Sequence, residues 1–168
     1  MQLPAFIRQT LSLSRRKERY MEKQIPFMRR FNAINDATNM AYHNLSQKLG
    51  FSDSEAIILY AMYDGGSVTQ KEIAARTGMS KQTVSSAVRQ LVQKNLLKQP
   101  KGLRNEPLRL TGEGQKALEE KISLIVHVEN SILSDWTPEE QQQFLTLNER
   151  YLDSMRKEIN KLTIPEKE

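Results

Sequence analysis

Gln70-Lys-Glu-Ile-Ala-Ala-Arg-Thr-Gly-Met-Ser-Lys-Gln-Thr-Val-Ser-Ser-Ala-Val-Arg89 decides the fold, because it has the pattern of two short helices joined by a glycine turn. Gly78 supplies the turn, and Ala74 sits where the second helix crosses the first and a larger side chain would force them apart. Ile73, Met79, Val84, Ala87, Val88 and Leu91 recur at the spacing that gives both helices a common apolar contact. Lys81, Gln82, Ser85, Ser86 and Arg89 fall on the opposite face of the second helix, with Thr83 beside them. That face is short, polar and free of carboxylates, and its hydroxyl, amide and guanidinium groups suit the base edges and phosphates of a DNA major groove. A helical hairpin with a merely solvated polar face is the competing reading.

The residues beyond Leu91 favour the first reading. Two short alternating runs, Leu96 to Gln99 and Leu108 to Thr111, flank a turn rich in Pro, Gly and Asn, which predicts a β-hairpin directly behind the second helix. Such a basic hairpin is a wing. Charge is segregated in the same place. Residues 66 to 111 carry nine lysines and arginines against Glu72 and Glu106, a net +7, whereas the whole chain is +5. Residues 112 to 168 are net −5, residues 32 to 65 net −3 and residues 1 to 31 net +6, so beyond the N-terminal stretch the positive charge is concentrated on the expected reading head.

The chain has 168 residues and no cysteine, which excludes disulfides, thiolate zinc sites and thiol redox sensing within it. No apolar run approaches the roughly 20 residues that span a bilayer. The start, Met-Gln-Leu-Pro-Ala-Phe-Ile-Arg, lacks the features of a signal peptide, so a cytoplasmic protein is expected.

Helix-start signals recur along the chain. Ser52 with Glu55, Thr69 with Glu72 and Thr137 with Glu140 have capping-box spacing, Pro138 suits a first helical position, and Ser80 and Thr111 are further caps. Helices are predicted at about 25–49, 54–64, 70–77, 81–95, 113–133 and 138–162, with 67–68 adding a short strand to the wing. Phe31, Ile34, Leu45 and Leu49, then Leu118, Ile122, Ile125 and Ile132, then Phe144, Leu147, Tyr151, Met155 and Leu162 form helical stripes. These outreach a head of some sixty residues, which points to a homodimer rather than a monomeric bundle. The expected organisation is mainly α with a small β-hairpin wing: a basic extension at 1–24, dimerisation helices at 25–50 and 113–168, and a winged helix-turn-helix at 51–112.

Taken in order, residues 25 to 162 resemble the multiple antibiotic resistance regulator (MarR) family. The most specific pieces are Leu110-Thr-Gly-Glu-Gly114, similar to the family's Leu-Thr-x-x-Gly at the wing exit, and Val84 to Leu97, similar to its recognition helix and the run into the wing. The resemblance places Arg104 at the wing-tip arginine that enters the minor groove. It gives Gly102 where family wings usually hold an aspartate that steadies this arginine, so Lys101 is a second candidate for the role. The resemblance implies a dimeric winged-helix transcription regulator that binds a pseudo-palindromic operator, most often a repressor released by a small molecule.

Enzyme chemistry finds no support. His43 and His127 are the only histidines, and there is no glycine-rich phosphate loop, so no catalytic residues, cofactor or metal ligands are assigned. A metal set of His43, His127, Glu129 and Asp36 has no motif behind it. In the resembling family the effector pocket lies near the helices that here contain Tyr42, Tyr60, Met62 and Tyr63, and none of these is singled out. Arg15-Arg-Lys-Glu-Arg19, with purine-rich codons just ahead of Met21, admits two readings: a natural start at Met21, or a basic arm. The competing function from another class is a winged-helix protein-interaction module without DNA binding; the +7 segment separates the two, since a protein-docking face is more often apolar.

Overall fold

The computed structural model describes residues 25–66, 68–102 and 105–162. The expected N-terminal extension at 1–24 lies outside them, as do Ser67 and Arg104. The chain divides into two compact units at the junction of Gly50 and Phe51.

In the first unit, helix α1 (Pro26–Lys48) starts with proline at its first turn, where a missing N–H costs nothing. Phe27 and Phe31 stack one turn apart, with ring centroids at 6.3 Å. The helix ends where Leu49 N–H donates to Leu45 O and Gly50 N–H to Gln47 O.

The second unit runs α2 (Asp53–Gly65), α3 (Gln70–Thr77), α4 (Lys81–Gln93), α5 (Gly112–Ala117), a π turn (Leu118–Ile122), α6 (Ser123–Ser134) and α7 (Pro138–Asn160). All three expected capping boxes form, at Ser52, Thr69 and Thr137, and Ser80 and Thr111 accept from the N–H three residues on. Each satisfies backbone donors that a helix start leaves open. Gly78 closes α3 in the left-handed region, its N–H donating to Ala74 O at 3.0 Å, and so sets the turn into α4.

The core joins α2, α3, α4 and the helical segment that begins at Gly112. Ile58, Leu59, Met62, Ile73, Val84, Val88 and Leu91 are buried, as the period of α3 and α4 requires. Ala117, Leu118, Ile122 and Ile125 are buried with the same unit, so the core continues past residue 112 into the expected dimerisation arm. The predicted helix over 113–133 is interrupted by the π turn, where the Ser123 hydroxyl donates to Glu119 O. Ile132, at the far end of that stripe, is exposed.

The arm between α4 and α5 departs from expectation in extent. Among the described residues it holds no extended strand, only isolated antiparallel bridges, Leu97 with Leu110 and Thr69 with Pro107. Lys98 N–H donates to Arg109 O at 2.8 Å, and Leu108 N–H to Val68 O at 2.8 Å. Pro100 and Pro107 have no N–H to continue a ladder, so the pairing stops short.

Candidate nucleic-acid interface

The sequence motif Leu110-Thr-Gly-Glu-Gly114 locks the end of α4 to the start of α5. Thr111 N–H donates to Leu96 O at 3.1 Å, and its hydroxyl donates to Asn95 O at 2.6 Å while accepting from Gly114 N–H at 3.0 Å. A β-carbon on Gly114 would lie 2.0 Å from Leu96 O, so only glycine permits this approach. The orientation of α4 is fixed from a second side. Glu55, 2% exposed, lies with its carboxylate 2.8 Å from Lys94 Nζ at the C-terminal end of α4. Burial opposes ionisation of Glu55, but the Lys94 hydrogen bond and charge and the Ser52 N–H together hold its pKa below 4.5. Lys94 and Lys121 both lie over the Phe51 ring, 5.7 and 5.3 Å from its centroid.

So held, α4 presents Lys81, Gln82, Thr83, Ser86 and Arg89 to solvent, with Ser85 half-buried. Lys81 and Gln82 make no side-chain bond to a described residue. The Thr83 hydroxyl lies 2.8 Å from that of the cap, Ser80, so it is engaged locally and is the least available of the set. Arg89 folds along its own helix through long contacts, 3.4 Å to Ser85 O and 3.5 Å to Ser86 Oγ, which a better acceptor can replace.

The electrostatics of this face depend on how its acids are used. Between residues 66 and 111 the only carboxylates are Glu72 and Glu106. Glu72 accepts Thr69 N–H at 2.8 Å, a contact that lowers its pKa, and Glu106 accepts Lys101 N–H at 2.6 Å. Among the described residues neither forms an ion pair with a side-chain cation. Arg76 pairs with Asp64 and Lys94 with Glu55, which leaves Lys71, Lys81, Arg89, Lys98, Lys101 and Arg109 without an ion pair to any described residue.

Lys101 is exposed at the arm's turn, and Arg104 lies outside the described residues. Gly102 has φ +78°, so the aspartate of the resembling family could not replace it without backbone strain. A cleft of about 390 Å³ between this turn and the start of α3 is lined by Gln70, Lys71, Lys81, Gly102, Asn105 and Glu106. Of these only Lys81 is among the site residues that the sequence marks out. The excess charge of the segment is the one available signal for Lys71, Lys98 and Arg109.

Among the described residues no group of three His, Cys, Asp or Glu could hold a metal ion, and no helix is long and apolar enough to cross a membrane. Tyr60 donates its hydroxyl to Glu129 Oε2 at 2.6 Å, joining α2 to α6; Met62 is buried and Tyr63 exposed.

Residues 49–103 match the model of the MarR family. No curated protein matches the chain by sequence. Among solved structures, the chain is similar to the MarR family regulator NMB1585 from Neisseria meningitidis at 16% identity and TM-score 0.70, covering 81% of this chain and 98% of that one. It is similar to the Staphylococcus aureus MepR–DNA complex at 22% identity and TM-score 0.62, covering 79% and 99%. PcaV from Streptomyces coelicolor, in complex with its natural ligand, is similar at 20% identity and TM-score 0.59, covering 80% and 99%. The matched family is one of regulators, not of enzymes. Residues 49–103 thus match the MarR family model, and the chain carries the fold of solved regulators of that family.

Proposed function

We propose that this chain is a dimeric, sequence-specific DNA-binding transcription regulator, with α4 as the recognition helix and the 96–111 arm as its wing. One observation carries the reading: six cations of one segment make no ion pair to any described residue, while its two acids accept backbone N–H groups. Unneutralised lysines and arginines around a polar helix face are what phosphate contacts require, with Gln82 and Ser85 placed to read base edges. Lys101 and Arg104 serve the wing tip.

Dimerisation accounts for the apolar residues that α7 and the residues just past its end leave in solvent. Phe144, Leu147, Tyr151, Met155 and Leu162 are between 36% and 50% exposed and recur at helical spacing, a stripe that a second copy would cover. In the finer reading the dimer is a cytoplasmic repressor relieved by a small molecule. DNA and ligand complexes of MepR and PcaV support that mode for the fold. Footprinting on a selected operator, with sedimentation of the free protein, tests the proposal. Two protected half-sites about 10 base pairs apart and a dimer mass are expected. One unrepeated half-site and a monomer mass would refute it.

A further inference from the structure

Glu106 is the one carboxylate lining the cleft that also holds Lys71 and Lys81, and a negative charge there opposes phosphate binding. Its role is visible in what it touches. Along the arm, main-chain pairing ends at Lys98 N–H to Arg109 O, and Pro100 and Pro107 lack the donors to extend it. Beyond that point the Lys101 N–H to Glu106 bond is the one hydrogen bond across the arm among the described residues. The described residues between the two, Gly102 and Asn105, both have positive φ, at +78° and +58°. Because the carboxylate takes a backbone N–H and not an ammonium, the Lys101 side chain keeps its charge for a ligand.

We propose that Glu106 is the positioning residue of the wing: its carboxylate fixes the main chain at Lys101, next to the cleft that Glu106 itself lines with Lys71 and Lys81. Lys101 is then presented to a phosphate backbone from a fixed main chain. This role rests on the DNA-binding reading above.

Two substitutions of equal charge separate the bond from the charge. Glu106→Gln keeps an acceptor oxygen, and Glu106→Ala removes it. In the full chain, amide exchange of Lys101 should speed up by roughly three- to tenfold in Glu106→Ala, the range of one hydrogen bond, and stay near the unsubstituted rate in Glu106→Gln. On a random-sequence duplex Glu106→Gln should bind at least as tightly as the unsubstituted chain, and Glu106→Ala several-fold more weakly than Glu106→Gln. Equal exchange and equal affinity in the two variants would overturn the proposal. If the unsubstituted chain fails to bind duplex while the exchange pattern is as expected, the DNA reading falls and the positioning role with it, although the bond itself stands measured.

Discussion

Gly112 and Gly114 stand two residues apart in one motif, and the structure assigns them opposite responses to alanine. At Gly114 an added β-carbon would lie 2.0 Å from Leu96 O, with Leu110 Cδ2 and the Leu96 carbonyl carbon at 3.0 Å. A carbon and a carbonyl oxygen normally approach to about 3.3 Å, so the start of α5 must withdraw by more than an ångström. The oxygen it meets accepts Thr111 N–H, and the Thr111 hydroxyl donates to the adjoining Asn95 carbonyl and caps Gly114. Withdrawal therefore weakens the lock as well as the packing. Overpacking costs about 1 to 3 kcal/mol and loss of a cap about 1, while alanine returns at most about 1 kcal/mol of helix propensity. A net loss of roughly 2 to 3 kcal/mol results. At Gly112 nothing lies within 4 Å and φ is not positive, so alanine should be neutral or stabilise by about 0.5 kcal/mol. Urea unfolding of both variants with unchanged m-values checks this. Equal stability of the two would refute the close-approach argument.

The other predictions concern the ion pair, the reading face and the wing. Lys94→Met leaves the buried Glu55 carboxylate without its cation; with Lys94 itself 43% exposed, the loss should be about 1 to 2 kcal/mol near neutral pH, below the figure for a fully buried pair. Since folding lowers the Glu55 pKa, its contribution is present above about pH 4.5 and fades as pH falls through the lower folded value, so the gap between variant and parent should close in acid unfolding curves. Lys81→Ala and Arg89→Ala should weaken binding to every duplex sequence, whereas Gln82→Ala or Ser85→Ala should relax preference at one base by roughly 1 to 3 kcal/mol, read by competition with single-base operator variants. Arg104→Ala should cost affinity chiefly at operators with A·T-rich flanks, where a narrow minor groove concentrates negative potential; a uniform loss across flanks would move that role to Lys101.

Helix starts and the α3–α4 turn were legible because their chemistry is local. Ser52, Thr69, Ser80, Thr111 and Thr137 each announce a cap within three residues, and Gly78 announces a left-handed turn. The π turn at Leu118–Ile122 was not, since an extra residue in a helical turn leaves no composition mark. Nor was the reach of the core into Ile125, which depends on what packs over the helix and not on its own period. The arm's alternation suggested a hairpin, but Pro100 and Pro107 bound the pairing more tightly than the apolar pattern did. In the candidate site, cations were visible as a charge excess. Which of them stay unpaired was not, because that depends on Asp64 and Glu55, distant in sequence, taking Arg76 and Lys94, and on Glu72 and Glu106 choosing backbone donors.

The central claim is that the unpaired cations of the head neutralise DNA phosphates, and the salt dependence of duplex binding tests it most directly. If each copy of a dimer engages half of its six unpaired cations, about six phosphates are neutralised, and log affinity should fall against log salt with a slope near −5. Between about 50 and 200 mM salt that is a loss of roughly a thousandfold. Weak binding that salt leaves unchanged would contradict the account and favour a protein-interaction module on the same fold.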